Sequence, residues 1–109
     1  MKRGEVWTQA GGPGYAGKPR PALIVQSDLL DATASVVTCL FTTHDNAAIP
    51  SRVAFAATAD NGLLEDSDLM ADKVTAVPRT KLGRRLGMVS EAELALVEDA
   101  LLLVLGFEG

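Results

Sequence analysis

Cysteine is nearly absent from this chain. Cys39 is the only one in 109 residues, so no internal disulfide can form, and with a single histidine, His44, there is no His/Cys cluster at zinc-ligand spacing to replace one. A disulfide-stapled secreted mini-protein and a zinc ribbon are both excluded, and no metal or other cofactor is expected. Long apolar runs are also lacking. The longest, Ala100 to Phe107, falls far below the ~20 residues that cross a bilayer and follows directly on Glu98 and Asp99, so it reads as a buried helix end and not a membrane anchor. The opening MKRGEVWTQA has no apolar stretch of the kind that follows the basic start of a secretory signal, which makes the cytoplasm the expected location. The GGPGYAG run lacks the Gly-Lys-Ser/Thr ending of a phosphate-binding loop, and no helix pattern follows it. Internal repeats and low-complexity segments are missing too.

What is present fits one compact unit spanning residues 1–109. Hydrophobic residues make up 48% and charged residues 22%, too apolar for a disordered tail. Arg3–Thr8 suits a first strand, and GGPGYAGKP, with its glycines and prolines, a mobile loop. Ala22–Gln26 and Ser35–Thr43 read as second and third strands, Arg52–Ala57 as a fourth ended by the Asn61-Gly62 turn signal, and Leu69–Val77 as a fifth. Ser90 and Glu93 form a capping box with Val89 and Leu94 at the staple positions, so a helix starts there. Leu94, Val97, Leu101, Val104 and Leu105 give it one apolar stripe, and Gly106 is placed to end it. Five or six short strands and one terminal helix predict a mainly β fold, a small, strongly bent barrel with the helix on its side. An exposed helix face or sheet edge would invite a dimer.

The net charge of −4 argues against an anionic partner only if charge is evenly spread, and it is not. All basic residues after Val53 fall between Lys73 and Arg85, namely Lys73, Arg79, Lys81, Arg84 and Arg85, with no acid among them, and Lys18 and Arg20 form a second basic group. These are either solvated faces or anion-binding surfaces. Arg20 lies between Pro19 and Pro21, whose rings stiffen the backbone that carries it. A guanidinium so presented suits bidentate contact with phosphate, the plainer alternative being a surface salt bridge. Thr42 and Thr43 end the third strand and lead into His44, Asp45 and Asn46, a dense run of hydrogen-bonding groups. Threonine is also simply a good strand former, and a lone strand-end histidine reads first as a surface residue. Asp66, Asp68 and Asp72 offer carboxylates without a second motif to support a catalytic pair. Cys39, mid-strand among apolar neighbours, reads as a buried structural thiol.

In order along the chain, RGEVW, the glycine-rich loop, KPRPALIVQSD, TCLFTT, NGLLEDSDLMADKVTAV and LGRRLGMVSEAELALVEDALLLVLG resemble the MazF/PemK family of toxin–antitoxin ribonucleases, and the likeness covers nearly the whole chain. The resemblance implies an SH3-like barrel with a C-terminal helix and a homodimer. It also implies metal-independent cleavage of single-stranded RNA and a separate MazE-like antitoxin that blocks the site. It places the family's arginine on Arg20 and its threonine on Thr42, with Thr43 the alternative register. In the family scheme the ribose 2′-hydroxyl attacks the adjacent phosphorus, leaving a cyclic phosphate and a 5′-hydroxyl. Arg20 and Thr42 would stabilise charge on the phosphoryl oxygens. Some members carry an arginine and an aspartate on the fifth strand; here Asp72 matches the aspartate and Met70 stands in the arginine's place. Asp72 and Lys73 are therefore expected to wall an RNA groove, with Tyr15 stacking on a base or packing within its loop, and with Lys18, Thr43, His44 and Arg79 contacting RNA. A second class is a non-catalytic inhibitor, because the same barrel resembles the CcdB-type toxins that bind DNA gyrase. A third is a degenerate member that only binds its antitoxin.

Overall fold

The computed structural model describes residues 1–11, 18–45 and 49–107. The strands are β1 (Glu5–Gln9), β2 (Arg20–Ile24), β3 (Ser35–Thr43), β4 (Arg52–Phe55), β5 (Ser67–Met70), β6 (Thr75–Pro78) and β7 (Leu82–Met88), followed by helix α1 (Glu91–Leu105). They form one seven-stranded antiparallel sheet in the order β4-β5-β3-β2-β1-β7, with β6 paired to β3 beside this path. The mainly β architecture with one C-terminal helix is as expected, although no hydrogen bonds between β4 and β7 close the sheet among the described residues. The loop expected at GGPGYAGKP lies mostly outside those residues, as does Tyr15.

The long β3 organises the sheet. Its first half pairs with β6, Ser35 to Thr38 against Pro78 to Thr75, and its last three residues pair with β5 along the same edge. The continuous strand expected over Leu69–Val77 is therefore two strands joined by a 3-10 turn, Ala71–Lys73. Two partners that share one edge of a bending strand must change direction between them, and the turn does this on the buried Ala71, whose amide donates to the Ser51 carbonyl at 3.1 Å.

Strand β7 is the element that sequence reasoning missed, because Gly83, Gly87 and two adjacent arginines are poor strand signals. Its glycines answer a close approach. A Cβ on Gly87 would run into the Asp60 carbonyl, and one on Gly62, at φ +71°, into the Leu86 carbonyl. The turn around Asn61 is thus clamped against β7. Asn61 itself is fully buried and bonded to the backbone of Ala56, Thr58 and Leu63.

Val6, Leu23, Cys39, Phe41, Phe55, Leu69 and Val97 fill the core, where the Phe41 and Phe55 rings meet edge-to-face at 5.3 Å between centroids. Each such side chain contributes ~1.5–3 kcal/mol by leaving water. The helix starts as its sequence demands. Ser90 Oγ accepts from the Glu93 amide at 3.1 Å, Glu93 Oε1 accepts from the Ser90 amide at 2.8 Å, and Gly106 ends the helix at φ 79°. Of the expected stripe, Val97 is buried and Leu94, Leu101 and Val104 are half-buried, whereas Leu105, in the last turn, is 56% exposed. Leu96, Leu103 and Phe107 are exposed as well. Replacing Ser90 by Ala should lower stability by ~1 kcal/mol, read as a shift of the urea midpoint at fixed protein concentration. An unchanged midpoint would show that the reciprocal cap adds nothing to this helix.

Candidate active site

At one end of the sheet a cleft of about 760 Å³ is lined by the entry to β2 (Pro19, Arg20, Pro21), the end of β3 (Phe41, Thr42, Thr43), the turn Gly62–Glu65 and, from β7, Gly83, Arg84 and Leu86. Arg20 and Thr42, the two residues the sequence singled out, therefore share one cavity. The β2–β3 register, with Ala22 opposite Leu40, runs towards Arg20 on one strand and Thr42 on the other. The two threonines differ in chemistry. Thr43 lies opposite Ser67 and donates its hydroxyl to Glu65 Oε1 at 3.2 Å, whereas Thr42 lies opposite Asp68. A hydroxyl already donating to a carboxylate has no second proton to offer an anion.

Asp68 is a buried carboxylate, 5% exposed, on β5. It accepts from His44 Nδ1 at 2.7 Å and from the Asp45 amide at 3.1 Å. Burial pushes its pKa up, but the His44 and Asp45 hydrogen bonds, with the charges of His44 and Arg52, outweigh this and hold it below the ordinary 3.8. Cys39 behaves oppositely. Its burial, helped by the Asp72 charge, pushes the thiol up to about 12, so it stays protonated and unreactive.

The remaining expected contacts are scattered. Lys18 is exposed just before the cleft-lining Pro19, but it does not line the cleft itself, nor does His44. Asp72 and Lys73 sit on the 3-10 turn after β5, outside the cleft, with Asp72 Oδ1 3.7 Å from Arg52 Nε. Arg79 turns its guanidinium to the Leu30 and Thr33 carbonyls, also away from the cleft. The basic run from Lys73 to Arg85 is therefore not one surface: Arg85 bonds Glu5 at 2.8 Å, while Arg84 reaches the cleft. Sequence reasoning missed Arg84 as a site residue because β7 was unread, and missed the link of Asp68 to His44 because the two are 24 residues apart. Among the described residues no group of three or more His, Cys, Asp or Glu is placed to hold a metal, and no helix is long and apolar enough to cross a membrane.

A small open sheet with one packed helix, whose end cleft combines guanidinium and hydroxyl groups, carries the groups that an anion-binding module requires. Comparison with known proteins makes the class specific. Residues 2–105 match the profile of the PemK-like, MazF-like toxins of type II toxin–antitoxin systems, and the chain belongs to that family. It is 46% identical over 109 residues to a probable endoribonuclease MazF of Mycolicibacterium smegmatis, with both chains covered in full. It is 35% identical over 112 residues to Endoribonuclease MazF9 of Mycobacterium tuberculosis, with 94% of each covered. A solved mycobacterial endoribonuclease in complex with its cognate antitoxin has the same fold, with a TM-score of 0.83 at 30% identity over 100% of this chain and 98% of that one.

A carboxylate whose pKa is depressed by folding adds stability above its unfolded value, and this is lost as pH falls. Asp68→Asn should therefore lower stability at pH ~6 by about 1–3 kcal/mol, since His44 and Asp45 lose a charged acceptor. The gap from wild type should close as the pH is taken down through 3.8 and below. Parallel stability–pH curves for the two proteins would exclude a folding contribution from this ionised carboxylate.

Proposed function

We propose that this chain is the toxin of a type II toxin–antitoxin pair and an endoribonuclease that cuts single-stranded RNA in the cytoplasm without a metal, working as a homodimer. The observation that carries the reading is the meeting of Arg20 and Thr42 in one cleft within a chain that matches this toxin family almost from end to end. The endoribonuclease relatives support the activity. The exposed Leu96, Leu103, Leu105 and Phe107 on and just after α1 support self-association, since isolated monomers rarely show apolar side chains grouped in this way.

The chemistry is mainly electrostatic. As the ribose 2′-oxygen attacks phosphorus, charge grows on the phosphoryl oxygens, where the fork of Arg20 neutralises it and the Thr42 hydroxyl donates a hydrogen bond. Arg84, which also lines the cleft, adds positive charge for the RNA backbone. The products are a cyclic phosphate and a 5′-hydroxyl. The same cleft suits an acidic and apolar antitoxin segment that folds as it binds, and the antitoxin complex of the mycobacterial neighbour supports such a partner.

Purified protein in EDTA should cut a long RNA to cyclic-phosphate ends, and Arg20→Ala and Thr42→Ala should each lower the rate ~10²–10³-fold. Intact RNA would defeat the proposal. Growth arrest that survives Arg20→Ala would favour a gyrase-binding poison instead, and no arrest from the wild type would point to a degenerate member.

A further inference from the structure

We propose that Glu65, set in place by Thr43, selects the RNA substrate by accepting hydrogen bonds from the donor edge of an unpaired guanine; the proposal deepens the ribonuclease reading above and rests on it. Glu65 lines the same cleft as Arg20, Thr42 and Arg84, and it is the only carboxylate among the described lining residues. A carboxylate repels phosphate, so the RNA backbone goes to the guanidinium groups and Glu65 is left for a hydrogen-bond donor. The donors of single-stranded RNA are its 2′-hydroxyls and the N–H groups of its unpaired bases, and only a base offers two side by side. At about 760 Å³ the cleft has the volume of a small-molecule site, which is room for a nucleotide beside the phosphate that Arg20 meets.

The carboxylate is held in advance. The Thr43 hydroxyl donates to Glu65 Oε1 at 3.2 Å, and the Glu65 carbonyl accepts from Ser67 Oγ at 2.8 Å. Two residues earlier, Leu63 is buried and its amide donates to Asn61 Oδ1 at 3.0 Å. The segment between these anchors therefore presents Leu64 and Glu65, both exposed, from a fixed backbone. Among the described residues Oε2 accepts no hydrogen bond, and Oε1 keeps a second lone pair beside the one that Thr43 uses. Two adjacent oxygens that accept and do not donate match two adjacent N–H groups. Among the four RNA bases only guanine has these on its Watson–Crick edge, as N1–H and the 2-amino group. Adenine and cytosine set an acceptor nitrogen beside their amino group, and uracil flanks its single N–H with two carbonyls, so each of them turns a lone pair towards the carboxylate. Leu64, wholly exposed next to Glu65 and also lining the cleft, gives the face of the ring an apolar surface to cover. Glu65 is thus a specificity residue that touches the base, and Thr43 a positioning residue that acts through it.

The test uses the full chain in EDTA. Cleavage ends mapped on a randomised RNA pool should show guanine at one fixed position near the cut. Short substrates carrying guanosine, inosine or adenosine at that position then compete for the enzyme, and the ratio of their kcat/KM values is read. Wild type should favour guanosine over adenosine by ~10-fold or more, with inosine, which lacks the 2-amino group, in between. Glu65→Ala should bring all three ratios close to one. Glu65→Gln, whose amide donates as well as accepts, should cut inosine as readily as guanosine. Thr43→Val should weaken the preference for guanosine over inosine and Thr43→Ser should restore it, a readout that a purely structural threonine would leave unmoved; thermal midpoints show that each variant is folded. Mapped sites with no guanine preference, or a wild-type guanosine-to-inosine ratio in Glu65→Ala and Glu65→Gln, overturn the proposal while the ribonuclease reading stands, because RNA is still cut. Wild type that leaves RNA intact overturns both.

Discussion

The position of every candidate site group depends on how β3 divides its outer edge between two partners. Along its first half it pairs with β6 and at its end with β5, and its buried Val36, Thr38, Cys39 and Phe41 anchor both arrangements to the core. The end of β3 is therefore fixed on both sides, by β2 and β5, and it presents Thr42, Thr43 and His44 in succession. Because side chains alternate across a strand, adjacent residues do different work: Phe41 packs in the core and Thr43 bonds Glu65, while Thr42 and His44 share the face with Asp68. A shift of one residue in the β3–β5 register would exchange these sets.

The arginines away from the cleft are held by local partners. Arg3 pairs with Glu98 at 2.8 Å, Arg85 with Glu5 at 2.8 Å, Arg52 lies 3.7 Å from Asp72, and Arg79 is bonded to backbone carbonyls. Glu5 shows how strongly such contacts act. Burial raises its pKa, yet hydrogen bonds from the Lys2 amide, Trp7 and Arg85, and the nearby N-terminus, bring it down to about 2. Arg20 and Arg84 come together in the cleft of an acidic chain, a local distribution that the net charge does not describe.

Legibility followed the range of the signals. The capping box, the Gly106 stop and the β3 limits were readable because each is written in adjacent residues. Arg20 stood out through its flanking prolines, and its likeness to a family motif joined it to Thr42. The split of Leu69–Val77 was not readable, since it arises from how a bent β3 shares its edge and not from any local breaker in MADKV. Nor was β7, whose glycines look like turn residues until Asp60 and Leu86 are seen crowding Gly87 and Gly62. Asp68 could not be matched to His44 without the register that makes them diagonal neighbours.

The same register bears on the missing arginine of β5. Met70 stands where some members of the family carry arginine, and the residue directly opposite it on β4 is Arg52, whose Nε lies 3.7 Å from Asp72 Oδ1. Cross-strand partners share a face, so a guanidinium still adjoins the Asp72 carboxylate although it comes from the neighbouring strand. Its Nε is buried without a hydrogen-bond partner, an unfavourable arrangement for a polar N–H unless nearby negative charge offsets it. Asp68 and Asp72 supply that charge from either side of Met70, and Arg52 in turn helps keep the buried Asp68 ionised. The carboxylate that holds His44 is thereby tied electrostatically to β4.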